Sequence, residues 1–138
     1  MQFTIAIIAS AFASLAAASP VASPVNSNMR RYVAGNCGVH VTQWQKNENG
    51  VGGDYQYDLS IVDAVGDGIG GAVRLDVPDY QSRDVYSQLP YALVVTSGAV
   101  DSDPVQFAYA GYVFSTSSGC SAGGYENGNR EIDCGFGC

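Results

Sequence analysis

His40 is the only histidine in the chain, so any Ser-His-Asp or Cys-His site would have to use it. It stands in CGVHVTQWQ, in a strand-like alternation beside Trp44, which suits a structural imidazole. No strand-to-helix nucleophile elbow offers a serine nucleophile. Ribonuclease chemistry would need a cluster of His, Glu and Arg for base, acid and phosphate work, and one histidine makes that reading poor. Glycoside hydrolysis needs only two carboxylates at a set separation. Thirteen acidic residues make some such pair expected by number alone. Glu48, Glu126 and Glu131 fall in turn-like stretches, where a carboxylate is ordinarily a solvated loop charge. The expectation is a protein that is not an enzyme, with no catalytic residue assigned.

Asp63 to Gly71 imitates two other motifs. Its glycines resemble a dinucleotide loop, but no helix follows to receive a pyrophosphate. Asp63 and Asp67 resemble a calcium loop, yet the ligand ladder and closing Glu are missing. Turn formation explains the stretch better, leaving weak calcium binding by Asp63, Asp67 or the Asp101/Asp103 pair as an alternative. No cofactor is expected. Four cysteines, Cys37, Cys120, Cys134 and Cys138, form an even set of the kind that makes two disulfides in a small secreted domain. A structural zinc site would want closer paired ligands. Of nine tyrosines, Tyr80, Tyr86, Tyr91 and Tyr125 lie in polar surroundings, where amphipathic rings serve protein or glycan contacts. They are the candidate contact surface. Their alternative role is to cap the ends of the fold.

These side chains must be positioned by strands. In YQYDLSIVD, Tyr55, Tyr57, Leu59 and Ile61 alternate with polar residues, the two-residue period of a half-buried antiparallel strand. VHVTQWQ alternates likewise, with bulk on both faces, and the long Asn49-Gly50 loop joins the two as a hairpin. GAVRLDV places Val73, Leu75 and Val77 on one face until Pro78 stops it. DYQSRDVYSQLP reads as a short helical turn or an edge strand. YALVVTS suits a buried strand. VQFAYAGYVFSTS reads as one long strand, with Gly111 marking a bulge or barrel corner. A hairpin at Asn127-Gly128, clipped by cysteines, closes the chain. The predicted core is Val39, Val41, Tyr57, Leu59, Ile61, Val73, Leu75, Val94, Phe107 and Tyr109. The sequence thus predicts an all-β domain, a small disulfide-stapled antiparallel β-barrel, with a two-sheet β-sandwich as alternative.

Residues 1–18 read as a signal peptide, an apolar run closed by small residues. Residues 19–31 read as a propeptide or disordered linker ending at the dibasic Arg30-Arg31. Residues 32–138 form a single β domain with four basic and thirteen acidic residues, a net charge of −9. Such a balance repels phosphate backbones and anionic headgroups, so neither nucleic-acid binding nor stable membrane insertion is expected. Three disulfide connectivities are possible. Cys37–Cys138 with Cys120–Cys134 is preferred because it ties the domain's ends and staples the Asn127-Gly128 hairpin. Cys37–Cys134 with Cys120–Cys138 is nearly as good.

The short MQF-type leader, the dibasic pro-stretch, the acidic four-cysteine β domain and the CGVHVTQWQ…YQYDLSI core together resemble a group of small secreted fungal proteins. These are the hypersensitive-response-inducing elicitors of plant-pathogenic fungi, described as small β-barrels. The resemblance covers about residues 32–138. It implies a secreted, extracellular effector that triggers plant defence or cell death by binding a plant host protein or cell-wall component. It carries over no catalytic residue. The acidic β-barrel allergens of moulds are similar at the signal peptide, but their cysteine layout differs. A small secreted polysaccharide-acting hydrolase or glycan-binding protein is the alternative function.

Overall fold

Period-two alternation is clearest in Asn36–Trp44, Tyr55–Val62 and Asn129–Gly137, and every regular element among the described residues is a strand. The computed structural model describes residues 32–138; the proposed signal peptide, propeptide and dibasic site lie outside the described residues. The strands are β1 (Asn36–Trp44), β2 (Tyr55–Val62), β3 (Gly68–Val77), β4 (Ser82–Val85), β5 (Leu93–Thr96), β6 (Gln106–Tyr109), β7 (Tyr112–Ser115), β8 (Cys120–Ala122) and β9 (Asn129–Gly137). They form two antiparallel sheets, a five-stranded one ordered β3-β2-β1-β9-β8 and a four-stranded one ordered β4-β5-β6-β7. The DYQSRDVYSQLP segment supplies β4, an edge strand.

The inner faces share one core. Val39 and Val41 of β1, Tyr55, Tyr57, Leu59 and Ile61 of β2, and Ile132 and Phe136 of β9 are buried against Leu93, Val95, Phe107, Tyr109 and Phe114 of the second sheet. Two polar contacts accompany this core: the Tyr57 hydroxyl pairs with Ser97 Oγ at 2.8 Å, and Gln43 Oε1 accepts from Arg130 Nε at 2.7 Å, while Arg130 Nη2 is buried without a hydrogen-bond partner among the described residues. Both predicted disulfides form, Cys37–Cys138 and Cys120–Cys134, the latter between directly opposed residues of β8 and β9.

Three expectations are corrected. First, the sheets do not close into a barrel. The long strand that argued for closure is a hairpin: Ala110 (φ 51°) and Gly111 (φ 89°) form the two-residue turn between β6 and β7. Positive φ at both positions is what such a turn requires. Phe114, opposite Phe107, therefore enters the core, and Val113 faces out, 72% exposed. At one sheet corner only the isolated bridge Gly70–Ser87 joins β3 to the segment after β4. A Cβ on Gly70 would lie 2.5 Å from that of Ser87, so only glycine permits this approach.

Second, Val73 is 83% exposed. Between the pairs Tyr57–Leu75 and Leu59–Ala72, β3 carries an extra residue. This bulge, with Arg74 at φ 50°, moves Val73 outward and leaves Leu75 half-buried. The Asp58 carboxylate accepts the Arg74 backbone N–H at 2.6 Å and the Trp44 indole N–H at 2.9 Å, fixing the distortion. Within the apolar run of β5, Leu93 and Val95 point inward and Val94 is half-buried on the other face.

Third, β1 is not covered on both sides, because His40 on its outer face is exposed.

Candidate functional site

The outer face of the five-stranded sheet gathers the residues with acid-base potential. Antiparallel register sets His40 opposite Asp133 and Thr42 opposite Glu131. Both imidazole nitrogens contact carboxylates, Nδ1 with Asp133 Oδ1 and Nε2 with Glu131 Oε1, each at 2.7 Å. Thr42 donates to the same Glu131 oxygen at 2.9 Å. The hydrogen bond to Asp133 raises the His40 pKa most; burial opposes it, and the Asp133 charge and then Glu131 reinforce it. When both nitrogens donate, the ring has no lone pair with which to take a proton from a substrate. No cysteine among the described residues is free to act as a nucleophile beside it.

The acids expected in turns divide. Glu131 lies within β9, Glu126 closes the tight turn to Asn129, and Glu48 lies on the β1–β2 loop. Glu126 and Glu131 border one shallow hollow with Arg130, where Glu131 is already held by His40 and Thr42. The calcium-like carboxylates are engaged by the chain itself. Asp63 accepts backbone N–H groups from Val33, Val65 and Asp67 at 2.9–3.1 Å, which holds its pKa low. Asp103 accepts those of Ala99 and Val100. Asp101 takes the Tyr55 hydroxyl at 2.6 Å and the Gln45 amide. Among the described residues no group of three His, Cys, Asp or Glu side chains is arranged to hold a metal ion.

The four candidate tyrosines occupy separate places. Tyr80 borders a hollow with Thr96, Asp103 and Gln106. Tyr86 is exposed, its hydroxyl 3.4 Å from Asp84. Tyr125 is half-buried, with the Arg130 guanidinium 4.8 Å from its ring centre, and burial pushes its pKa up to about 12. Tyr91 alone opens onto a ring-lined cleft.

That cleft, about 610 Å³, is bordered by Tyr32, Pro90, Tyr91, Tyr109 and Tyr112 together with backbone at Gly35 and Gly137. Its floor is Tyr109, 3% exposed, while Tyr91 and Tyr112 stand 62% and 71% exposed. Tyr91 meets Tyr109 edge-on, centroids 6.0 Å apart at 73°. Behind the floor, Phe136 packs on Tyr109 and Phe114, and Phe114 stacks on Phe107. Cys138 lines the cleft and is fixed by its disulfide and by backbone bonds with Gly35. Burial raises the Tyr109 pKa, a hydrogen bond with the Tyr91 backbone pulling the other way. No charged side chain lines this cleft. The sequence pattern does not mark Tyr112 as its outer lip, because Ala110-Gly111 reads there as a bend within one strand.

Compared with protein-family models, curated proteins and solved structures, the chain matches none. Among the described residues no helix is long and apolar enough to cross a membrane. The two disulfides are of a kind typical of extracellular domains.

Proposed function

We propose that this chain is a secreted fungal effector or elicitor, which provokes plant defence or cell death by binding a host component, with the Tyr91–Tyr112 cleft as its contact surface. The supporting observation is the contrast within the cleft. Two large rings stand in solvent above a floor clamped by an aromatic stack and a disulfide. Rigid, amphipathic rings give contact area at little cost in side-chain entropy. The two open sheets around one core are read as a β-sandwich. A hydrolase would need carboxylates free to act, whereas Glu131 and Asp133 both hold His40. The host component is a plant protein or cell-wall material, and the acidic charge disfavours nucleic acid.

The test is infiltration of purified protein into leaves. Wild type should cause local cell death, and a Tyr91→Ala/Tyr112→Ala variant with unchanged circular dichroism should not. Equal activity in both would refute the cleft as contact surface. Secreted protein should show an intact mass that starts at or near Tyr32, and a mass retaining residues 26–31 would refute cleavage after Arg31.

A further inference from the structure

We infer that the cleft takes a neutral polysaccharide, an unsulfated glycan without uronic acids of the kind found in a cell wall. This rests on the cleft being the contact surface, and it names the occupant. Three observations point the same way. The lining has aromatic rings, phenol hydroxyls and backbone but no charged side chain. A pyranose offers matching chemistry, with C–H faces for the rings and hydroxyls for the phenols and backbone groups.

Charge then selects among glycans. Four basic against thirteen acidic residues give the domain a field that repels sulfate, phosphate and uronate, and no basic side chain lines the cleft to offset it; cleavage after Arg31 would add a single α-amino group, on Tyr32. A neutral chain meets no such penalty.

Shape adds the third constraint. Tyr91 stands at 73° to the buried Tyr109, so wall and floor make a corner, and Tyr112 continues the ring surface outward along the hairpin. The opening, about 610 Å³, falls within the usual range of roughly 300–1,000 Å³ for small-ligand sites. A corner of this kind grips one or a few sugar rings and leaves the rest of a polymer free to run past. Extended peptide is the rival occupant. It would carry charged or amide groups that need partners, and the cleft's side chains supply only phenols for that purpose.

The test uses protein purified after expression of the full chain, titrated with cellohexaose, laminarihexaose, mannohexaose and chitohexaose, with polygalacturonate as the anionic control. Binding is read by calorimetry and by tyrosine ring resonances. At least one neutral hexaose should bind and shift the Tyr91 and Tyr112 signals. Tyr91→Ala and Tyr112→Ala should each weaken it about tenfold. Tyr86→Ala, an exposed tyrosine outside the cleft, should leave affinity unchanged. Three outcomes overturn the inference: no neutral hexaose binds at millimolar concentration, polygalacturonate binds equally well, or the cleft variants bind as wild type does. The leaf assay separates this from the functional reading. Cell death that depends on Tyr91 and Tyr112 without any glycan binding leaves the cleft reading standing, overturns the glycan and points to a host protein. Glycan binding that both substitutions abolish while cell death persists upholds the glycan site and refutes its link to cell death.

Discussion

The outer face of the five-stranded sheet and the tyrosine cleft hold their candidate side chains under opposite conditions. On the sheet, His40, Thr42, Glu131 and Asp133 satisfy one another, and Trp44, Asp58 and Arg74 form a second closed group in which the guanidinium lies 3.9 Å from the indole ring centre. In the cleft, Tyr91 and Tyr112 leave most of their surface in water. Charged groups on the sheet face partners within the chain, whereas Tyr91 and Tyr112 turn most of their ring surface to solvent. The titratable cluster is closed on itself, whereas the uncharged surface stays open above a buried floor.

The comparison can be broken most severely through the disulfides. Replacing Cys37 and Cys138 with Ser opens a link of sequence separation 101, and replacing Cys120 and Cys134 opens one of separation 14. Loop-entropy estimates give about 4.7 kcal/mol for a loop near 100 residues and about 3 kcal/mol for one near 15. Denaturant titration should rank the first loss above the second, and cleft function should fall only with the first.

Leu59→Ala should cost about 2–5 kcal/mol, since Leu59 is 5% exposed in the core that both regions share. A cost below about 0.5 kcal/mol, the scale of a surface change, would mean that the inner face of β2 is wrongly assigned. Asp58→Ala should cost about 1–3 kcal/mol by stranding the Arg74 backbone N–H and the indole N–H. Its effect should stop at the sheet, with cleft binding unchanged.

A smaller effect is expected at His40, whose side chain is half exposed. Its folded pKa lies above 6.5, so its stabilisation is complete below pH 6.5 and fades as pH rises through the folded value. Ring-proton NMR should show a midpoint above 6.5. Melting temperature should fall across that window in wild type more than in His40→Ala. A midpoint at or below 6.5 would mean that the carboxylates do not hold the imidazolium. The smallest change in stability, within about 0.5 kcal/mol, is expected for Tyr112→Ala. Its loss of function should nonetheless be large, and a variant both active and stable would erase the distinction between the two regions.

Much of this architecture is legible in short-range pattern. Tyr55 to Ile61 alternate without interruption, and all four apolar residues are buried. The Asn127-Gly128 signal placed Cys120 beside Cys134 correctly. What escaped depended on backbone geometry that a side-chain pattern does not encode. Ala110 is an uncommon residue at positive φ, so its turn with Gly111 looked like a bend in one strand. The β3 bulge inverted Val73 without any break in the apolar alternation. The cleft was less legible still. Tyr32, Tyr91, Tyr109 and Tyr112 come from separate stretches and meet only because the β6–β7 hairpin and the Cys37–Cys138 end of the domain lie together.

The pairing of β1 with β9 has a consequence for how the chain can be made. β1 is the middle strand of its sheet, yet one of its two neighbours is the domain's last strand. While the ribosome is still at work, β1 can find β2 but not β9, and the core stays open on that side. Contacts between residues so distant in sequence also form slowly. Closure therefore waits until synthesis of the domain is complete.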